Sequence, residues 1–390
     1  MMERIQVKNF GPIKSADVQL GDLTILIGAQ ATGKSLFLEL FKLVADKEQI
    51  ISTLKKYNYI IGKEKHPANL LDLYFGEGMS NAWSKETSVH IDGKEKSVRT
   101  DKHVSPADAE RSETIFYIPA QRILSISDGR PKNFMELDLS TPYVLRNFSE
   151  TLRVFMQAGL GGSNTLFPLS TRLRKELCNS FNSTIFHDGK VVIDTKTGQR
   201  KMRMQIDGMD IPFMTWSAGQ KEFLPLLMGF YCLSGPPTSV IRKESYQYVI
   251  IEEPEMGLHP QAVKSVLLQM LELVQSGYRV ILSTHSSLFL EFAWTFQRLQ
   301  ESDAPAHEKE KALLELFCGT SRGAVESIFA GMMEKQIRTY YFARKEDAKV
   351  YSEDISSLDA FDENIDISEW GGLSVFATQT SDLVSRFSHE

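Results

Sequence analysis

One eight-residue stretch near the N-terminus constrains this chain more than any other. Residues 28–35 read Gly-Ala-Gln-Ala-Thr-Gly-Lys-Ser, a match to the pattern G-x-x-x-x-G-K-[ST]. The glycines in this pattern let the backbone turn tightly, so that successive N–H groups converge on an anion at a helix N-terminus. Residues 23–27 before it are apolar and β-branched, as in a buried strand, and residues 35–44 have the composition of a helix. This order predicts a phosphate-binding loop.

The side chains of this loop indicate that the bound phosphates belong to a nucleotide. Lys34 would reach the β- and γ-phosphates, and the Ser35 hydroxyl would ligate Mg²⁺. A chance match is expected in about one chain in a hundred of this length, and the flanking strand and helix lower that figure. The residues predicted to bind the nucleotide here are Gly28, Ala29, Gln30, Ala31, Thr32, Gly33, Lys34 and Ser35.

Composition disfavours several other classes of protein. The chain has 390 residues, is 42% hydrophobic and carries a net charge of −6, which argues against indiscriminate nucleic-acid binding. Cys178, Cys232 and Cys318 are far apart and form no C-x-x-C pair, so structural zinc and disulfides are not expected. Because neither a leader nor an apolar run of about 20 residues is evident, we expect a cytoplasmic protein without a membrane segment.

Periodicity and turn residues predict strands alternating with helices. We expect strands over residues 3–9, 15–20, 23–27, 87–91, 97–100, 114–118, 248–251, 280–282 and 337–343. We expect helices over residues 35–44 (extending toward 55), 143–156, 170–181, 260–276, 288–299, 308–317 and 323–334. Residues 183–213, which are divided by several turns with glycine, predict a β-meander.

A later strand delivers acidic groups to the sheet edge where the phosphate loop is expected. Residues 248–251 are apolar and are followed by Glu252, Glu253, Pro254 and Glu255. We predict that Glu252 holds the Mg²⁺ shell and that Glu253 polarises the attacking water as general base. In isolation such a segment is commonly a buried strand that ends in a solvated acidic turn, but the accompanying phosphate loop favours the catalytic interpretation.

Gln121 and Arg122 follow the predicted strand over residues 114–118. Polar residues at the end of a core strand could point into a ligand crevice. A loop that merely carries polar residues fits the sequence equally well.

Residues 216–220 resemble the Leu-Ser-Gly-Gly-Gln signature of ABC-type ATPases, with Trp216 and Ala218 as departures. The Ser217 hydroxyl and the Gly219 N–H would cap a helix whose positive end faces phosphate. In ABC-type proteins this cap reaches the γ-phosphate bound by the other subunit. The resemblance therefore implies a homodimer or higher oligomer joined by sandwiched ATP. The nucleotide-binding residues it implies are Ser217, Ala218, Gly219 and Gln220.

The same resemblance assigns roles to three further places. His285, after the strand at residues 280–282, would touch the γ-phosphate as the switch residue. Residues 257–260 fall where such proteins place a dimer-contact loop, and Gln121 would join the Mg²⁺ or the attacking water. The implied catalytic residues are Glu253, His285 and Gln121, and the implied Mg²⁺ ligands are Ser35, Glu252 and Gln121.

The order of these motifs resembles that of an ABC-type ATPase head of the SMC/RecF-like class. Residues 7–13, 217–227 and 252–260 are similar to AAA-type ATPases related to OLD-family proteins. The resemblance covers about residues 1–290. It implies an α/β P-loop NTPase of ABC-ATPase type, with a mixed central sheet flanked by helices, an antiparallel β-subdomain and a helical lobe. We expect an ATPase head over 1–290, with a helical insertion at about 123–182 and the meander at 183–213, and a helical and stranded extension over 291–390 as a candidate partner-binding region.

Two departures from this family pattern are visible. Glu252 stands where most P-loop ATPases carry Asp, although OLD-like relatives often carry Glu. OLD-family nucleases carry a Toprim domain after the head, which needs a Glu and a later Asp-x-Asp to bind metal. No Asp-x-Asp follows residue 290, so we expect the chain to lack the Toprim nuclease domain.

These features favour one functional hypothesis and leave others open. The favoured one is an ATP-binding and ATP-hydrolysing ATPase that dimerises around ATP and regulates a separate effector, a nuclease or toxin, in bacterial antiphage defence. The alternative is a RecF-like repair ATPase with DNA as its partner, for which the basic residues Arg172, Arg174 and Lys175 give weak support. A solvated helix face is the commoner role of such a cluster. A transporter subunit and a nucleotide sensor with negligible turnover are further alternatives.

Overall fold

The computed structural model describes residues 1–62, 67–99, 112–158, 160, 162–195, 198–237, 243–318 and 325–387. The strands in these ranges are β1 (Arg4–Phe10), β2 (Ile13–Gln19), β3 (Leu23–Ile27), β4 (Trp83–Ile91), β5 (Lys94–Glu95), β6 (Ile115–Ile118), β7 (Ile126–Ser127), β8 (Arg130–Pro131), β9 (Thr165–Phe167), β10 (Lys190–Asp194), β11 (Lys201–Ile206), β12 (Met209–Pro212), β13 (Tyr248–Glu252), β14 (Arg279–Ser283), β15 (Ile337–Arg344) and β16 (Val350–Asp354). The α-helices are α1 (Lys34–Ala45), α2 (Lys47–Lys56), α3 (Ala68–Phe75), α4 (Tyr143–Ala158), α5 (Lys175–Phe181), α6 (Ala218–Leu233), α7 (Pro260–Gln275), α8 (Ser287–Glu301), α9 (Ala306–Cys318), α10 (Glu326–Phe329), α11 (Ile365–Ser368) and α12 (Val375–Phe387). Across these ranges, no helix is both long and apolar enough to cross a membrane.

Ten strands form one mixed sheet, in the order β5-β4-β1-β2-β16-β15-β3-β14-β13-β6. The five neighbours from β15 to β6 run parallel to one another. Strands β1, β2, β4 and β5 pair antiparallel at the other end of the sheet. Because parallel strands end at a common edge, the segments that follow β3, β6, β13 and β14 meet there.

Apolar cores lie on both faces of this sheet, and alternate residues of β3 enter different cores. Leu26 belongs to the core that contains Phe37 of α1. Ile25 and Ile27 belong to the opposite core, together with Val266 of α7. All these side chains are buried, which explains why β3 is a continuous apolar run rather than an alternating one. The predicted α/β P-loop NTPase fold with a mixed sheet flanked by helices is confirmed.

A second sheet, in the order β12-β11-β10-β9, is antiparallel and forms the β-subdomain. The predicted meander is present as β10, β11 and β12, but it begins at Lys190 because Asn182–Phe186 form a π-helical turn. The predicted insertion over residues 123–182 is not wholly helical. It contains the β7–β8 hairpin and strand β9 beside α4 and α5.

The C-terminal part of the chain completes the central sheet instead of extending from it. Strand β15 lies parallel to β3, with Ile337 opposite Leu23 and Tyr341 opposite Ile27. Strand β16 pairs with both β15 and β2. The predicted boundary at residue 290 is therefore corrected, because residues 337–354 belong to the same sheet as the phosphate loop. Nothing local in the sequence of β15 specifies a pairing partner more than 300 residues away.

The helix after the phosphate loop ends at Ala45 and does not continue toward residue 55. Asp46 interrupts it by turning its carboxylate to β6, where it accepts hydrogen bonds from the amides of Thr114 (2.8 Å) and Ile115 (3.0 Å). The same carboxylate pairs with the buried ammonium of Lys42 at 3.0 Å. A new helix, α2, starts immediately afterwards.

The predicted helix over residues 170–181 is shorter, because α5 begins only at Lys175. Arg172 precedes it and is 6% exposed. Its guanidinium donates to the carbonyls of Ser234 and Pro236, and Arg174 pairs with Glu272 at 2.6 Å. Arg172 therefore does not lie on a solvated helix face. Of the three basic residues that gave weak support for DNA contact, Arg172 and Arg174 make contacts within the fold and Lys175 is exposed.

Candidate active site

The phosphate loop joins the end of β3 to the start of α1, as the sequence predicts. Its two outer glycines are required by geometry. Gly28 has φ +150°, and a Cβ there would lie 2.7 Å from the carbonyl oxygen of Phe342. Gly33 has φ +81°, and a Cβ there would lie 3.0 Å from Pro12. Side chains larger than hydrogen would push the loop away from β15 and from the β1–β2 turn.

Lys34 is the first residue of α1 and is 6% exposed. Its ammonium donates hydrogen bonds to the carbonyls of Gly28 (2.8 Å) and Ala29 (3.1 Å), so the lysine folds back over the loop. Burial lowers the pKa of Lys34, and the negative charges of Glu253 and Glu252 oppose that shift. The phosphate loop and the acidic strand end are thus close enough to interact electrostatically.

Glu252 is the last residue of β13 and is 3% exposed. One carboxylate oxygen, Oε2, accepts a hydrogen bond from the amide of Ala120 at 3.2 Å. The other, Oε1, has no hydrogen-bond partner among the described residues. Burial raises the pKa of Glu252, and the neighbouring Ser35 hydroxyl partly offsets that effect. A buried carboxylate oxygen without a donor, beside the hydroxyl of the phosphate loop, suits a hard cation such as Mg²⁺.

Glu253 and His285 lie side by side at the ends of β13 and β14. The His285 Nε2 atom is 3.7 Å from Oε1 of Glu253, and these side chains are 34% and 31% exposed. Glu253 has φ +42°, a left-handed conformation that a non-glycine residue rarely adopts. Its amide donates to the carbonyl of Ser283 at 2.8 Å. Glu252 is therefore buried, whereas Glu253 and His285 face a space that a substrate can enter.

Glu255 supports His285, a role that the sequence did not reveal. Its Oε1 atom accepts hydrogen bonds from the Thr284 hydroxyl (2.7 Å) and from the backbone amide of His285 (2.6 Å). The third acidic residue in the segment Glu252–Glu255 was the available signal, but its partners lie on the next strand. Glu255 ties the end of β14 to the loop after β13.

Gln121 and Arg122 follow β6 at the same edge of the sheet but differ in burial. Gln121 is exposed, one residue from the amide of Ala120 that binds Glu252. Arg122 is fully buried and donates to backbone carbonyls, including that of Glu252 at 3.0 Å. Of the two side chains that could point into a crevice, only Gln121 is accessible.

The signature-like segment begins helix α6 with an exposed cap. The Ser217 hydroxyl accepts from the amide of Gln220 (3.3 Å), and the Gln220 side chain accepts from the amide of Ser217 (3.2 Å), which is a capping box. Gln220 also donates to the carbonyl of Ile185. Ser217 and Ala218 are exposed, and a Cβ on Gly219 would lie 2.7 Å from the carbonyl oxygen of Gly257. The helix N-terminus is thus open to solvent and packed against the loop after β13.

Comparisons with known proteins find two matching families and one short match to a single protein. Residues 1–128 match the family described as "AAA ATPase domain", and residues 162–291 match "AAA domain, putative AbiEii toxin, Type IV TA system". A segment of 48 residues is 48% identical to the Old nuclease of Escherichia phage P2 and spans 12% of this chain and 8% of that protein.

Two solved structures are similar to the chain at low identity. One is an SMC head bound to the C-winged helix domain of ScpA, with a TM-score of 0.42, 12% identity and coverage of 90% of this chain and 97% of that chain. The other is the SMC head domain from Thermotoga maritima, with a TM-score of 0.36, 10% identity and coverage of 90% and 98%.

The phosphate loop and the mixed sheet that carries it define the class of protein as a P-loop NTPase. Within that class the chain is similar in sequence to AAA-type domains over residues 1–128 and 162–291 and, over 48 residues, to the Old nuclease.

Proposed function

We propose that this chain binds ATP with Mg²⁺ at residues 28–35 and hydrolyses it to ADP and phosphate, with turnover that could be slow. The observation that carries the proposal is the meeting of three groups at one sheet edge. Lys34 lies within electrostatic reach of Glu252 and Glu253, and Glu253 lies 3.7 Å from His285. A cation for phosphate, a carboxylate for metal and a carboxylate–histidine pair are the parts that phosphoryl transfer to water requires.

We assign nucleotide binding to the phosphate loop. The backbone N–H groups of residues 28–33 and the Lys34 ammonium would hold the phosphates. Bound Mg²⁺ would neutralise charge on the transferring phosphoryl group. The Ser35 hydroxyl, the free oxygen of Glu252 and the Gln121 side chain would hold that ion.

We assign catalysis of hydrolysis to Glu253 and His285. The Glu253 carboxylate, which is partly exposed beside the metal carboxylate, would accept the proton of the attacking water. His285 would orient the same water or the γ-phosphate from the opposite side. Glu255 keeps His285 in place through the hydrogen bond to its backbone amide.

Ser217 and Gly219 would complete the site of a second copy of the chain. The Ser217 hydroxyl and the N-terminus of α6 are exposed to solvent. Their contacts described above are the hydrogen bond of the helix cap and the packing of Gly219 against Gly257. A helix N-terminus with an exposed hydroxyl favours an anion. Two heads would therefore sandwich ATP between Lys34 of one and Ser217 of the other, with residues 257–260 at the contact.

We further propose that this ATP-dependent dimer regulates a separate effector, a nuclease or toxin, in bacterial antiphage defence in the cytoplasm. Two likenesses support the proposal: the matching segment in the phage Old nuclease, and the family described with a toxin–antitoxin system. Residues 291–318, 325–336 and 355–387, which lie outside the strands of the sheet, are the candidate region for the effector.

Light scattering with the Glu253→Gln variant tests the dimer. Because this variant should bind ATP without cleaving it, we expect its mass to double on addition of ATP and Mg²⁺. The double variant Lys34→Ala, Glu253→Gln is the control and should stay at the mass of the nucleotide-free protein. If Glu253→Gln also stays at that mass, and wild type releases no phosphate from ATP, the proposal is wrong.

A further inference from the structure

Arg122 occupies a position that neither nucleotide binding nor the chemistry at Glu253 explains. Its side chain is 0% exposed, and its guanidinium makes three hydrogen bonds to backbone carbonyls. Nε donates to Glu222 (3.1 Å), Nη1 to Glu252 (3.0 Å) and Nη2 to Glu253 (3.2 Å). Removing a charged group from water costs free energy. The burial of an arginine that donates to backbone carbonyls in the core therefore requires an explanation.

The three carbonyls belong to two different motifs. Glu222 lies in α6, five residues after the cap residue Ser217, whereas Glu252 and Glu253 form the acidic end of β13. One planar guanidinium thus joins the signature helix to the backbone of the candidate general base. Its N–H donors lie in a rigid planar fork and fix the three carbonyls relative to one another, whereas a lysine ammonium donates from a single atom on a flexible stem.

A second contact joins the same two segments. The Gly219 Cα lies 3.7 Å from the place where a Cβ on Gly257 would be, and a Cβ on Gly219 would lie 2.7 Å from the Gly257 carbonyl. The first turn of α6 and the loop after β13 are therefore in direct backbone contact. A displacement of α6 must be shared by that loop.

The backbone of Glu253 depends on outside support. With φ at +42° it is in a conformation that costs free energy for a residue with a side chain. Its amide is held by the Ser283 carbonyl, and its carbonyl is held by Arg122. If the Arg122 link moves, the direction of the Glu253 carboxylate changes with it.

We propose that Arg122 is a positioning residue that couples the two ATP sites of the dimer, an inference that rests on the proposed function. Ser217 of one head meets ATP held by the partner, and α6 and Arg122 transmit that engagement to Glu253 of the same head. That Glu253 acts on the ATP held by its own head. Each site is thus activated when the other site is filled, which makes hydrolysis cooperative in ATP.

The test compares Arg122→Lys with Arg146→Lys. Arg146 is also 0% exposed and donates to the Tyr59 hydroxyl and the Leu73 carbonyl, away from the site. We expect wild type and Arg146→Lys to hydrolyse ATP with a Hill coefficient above about 1. Arg122→Lys should bind a fluorescent ATP analogue within about twofold of wild type, but its kcat should fall about tenfold and its Hill coefficient to about 1.

A wild-type kcat and Hill coefficient in folded Arg122→Lys would overturn the coupling while leaving the proposed ATPase intact. Absence of hydrolysis and of ATP-driven association in wild type would instead overturn the proposed function and the coupling with it. Gly257→Ala tests the same link without touching the buried charge, because its Cβ would meet the Glu222 side chain at 3.3 Å. It should lose cooperativity while keeping ATP-driven association in light scattering. Unchanged cooperativity, or cooperativity lost only together with association, contradicts the coupling even if Arg122→Lys does not fold.

Discussion

The two regions of this chain that are predicted to meet ATP differ in how complete they are. The edge around Lys34 is buried and crowded with partners, since β3, β6, β13 and β14 all end there. The cap at Ser217 is exposed, and its hydroxyl accepts a hydrogen bond from its own helix. One region contains the groups proposed for binding and chemistry, whereas the other is an exposed helix cap. The proposed composite site, in which each head supplies one half, accounts for this difference.

The largest expected effect comes from removing the positive charge of Lys34, in the region that contains the groups proposed for binding and chemistry. Lys34→Ala should weaken ATP binding by at least about 100-fold, because a buried charge-assisted contact to phosphate is lost. Titration of the variant with a fluorescent ATP analogue measures this directly. Near-normal affinity would mean that the loop is not the nucleotide site.

Removing the hydroxyl on the exposed side should have a different and smaller effect. Ser217→Ala should leave ATP affinity of the isolated head unchanged but weaken ATP-driven association by roughly 30-fold, or about 2 kcal/mol, the value of a hydrogen bond to a charged group. Sedimentation in the Glu253→Gln background gives the association constant. Asn133→Ala, which removes a cap of another helical turn, is the control and should not change association. A loss of ATP affinity in Ser217→Ala would place both regions on one nucleotide.

The complete side was largely predictable from the sequence, because its signals are local. The phosphate loop, the acidic end of β13 and the position of His285 after β14 each follow an apolar strand within a few residues. Strand type and order then bring them to one edge. The spacing of three short motifs was therefore sufficient to predict that these residues lie close together, and their roles are the ones proposed above.

What could not be predicted depends on contacts between distant segments. Arg122 looked like one of two polar residues at a strand end, and only the fold shows that its partners are carbonyls on α6 and β13. The pairing of β15 with β3 joins residues more than 300 positions apart. The sequence favours a solvated helix face for Arg172, and only the fold shows that its guanidinium donates to the Ser234 carbonyl.

Glu255 allows a finer test of the complete side. Glu255→Gln keeps the size of the side chain but weakens the charge-assisted hydrogen bonds to Thr284 and to the amide of His285. We expect kcat to fall about fivefold with ATP affinity unchanged, because His285 is held less firmly. Steady-state and binding measurements separate the two quantities. If kcat and ATP affinity fall by the same factor, Glu255 acts in ATP binding instead.

The smallest expected effect concerns the cap itself. Gln220→Ala removes the reciprocal hydrogen bond to Ser217 and the contact with Ile185. It should lower the free energy of unfolding by about 1 kcal/mol, or roughly 1 °C in Tm, without changing ATP affinity. Calorimetry checks the shift. A much larger loss of unfolding free energy would mean that the main role of the cap is to stabilise the fold rather than to bind a phosphate.

The most direct test of the composite site mixes two defective chains. Lys34→Ala protein labelled with a fluorescent donor is combined with Ser217→Ala protein labelled with an acceptor. In the mixed pair, the intact phosphate loop of one chain faces the intact Ser217 of the other. We therefore expect ATP to induce energy transfer in the mixture at protein concentrations at which neither variant associates with itself. If wild type associates on ATP but the mixture does not, Lys34 and Ser217 of one chain serve the same nucleotide and the account is contradicted.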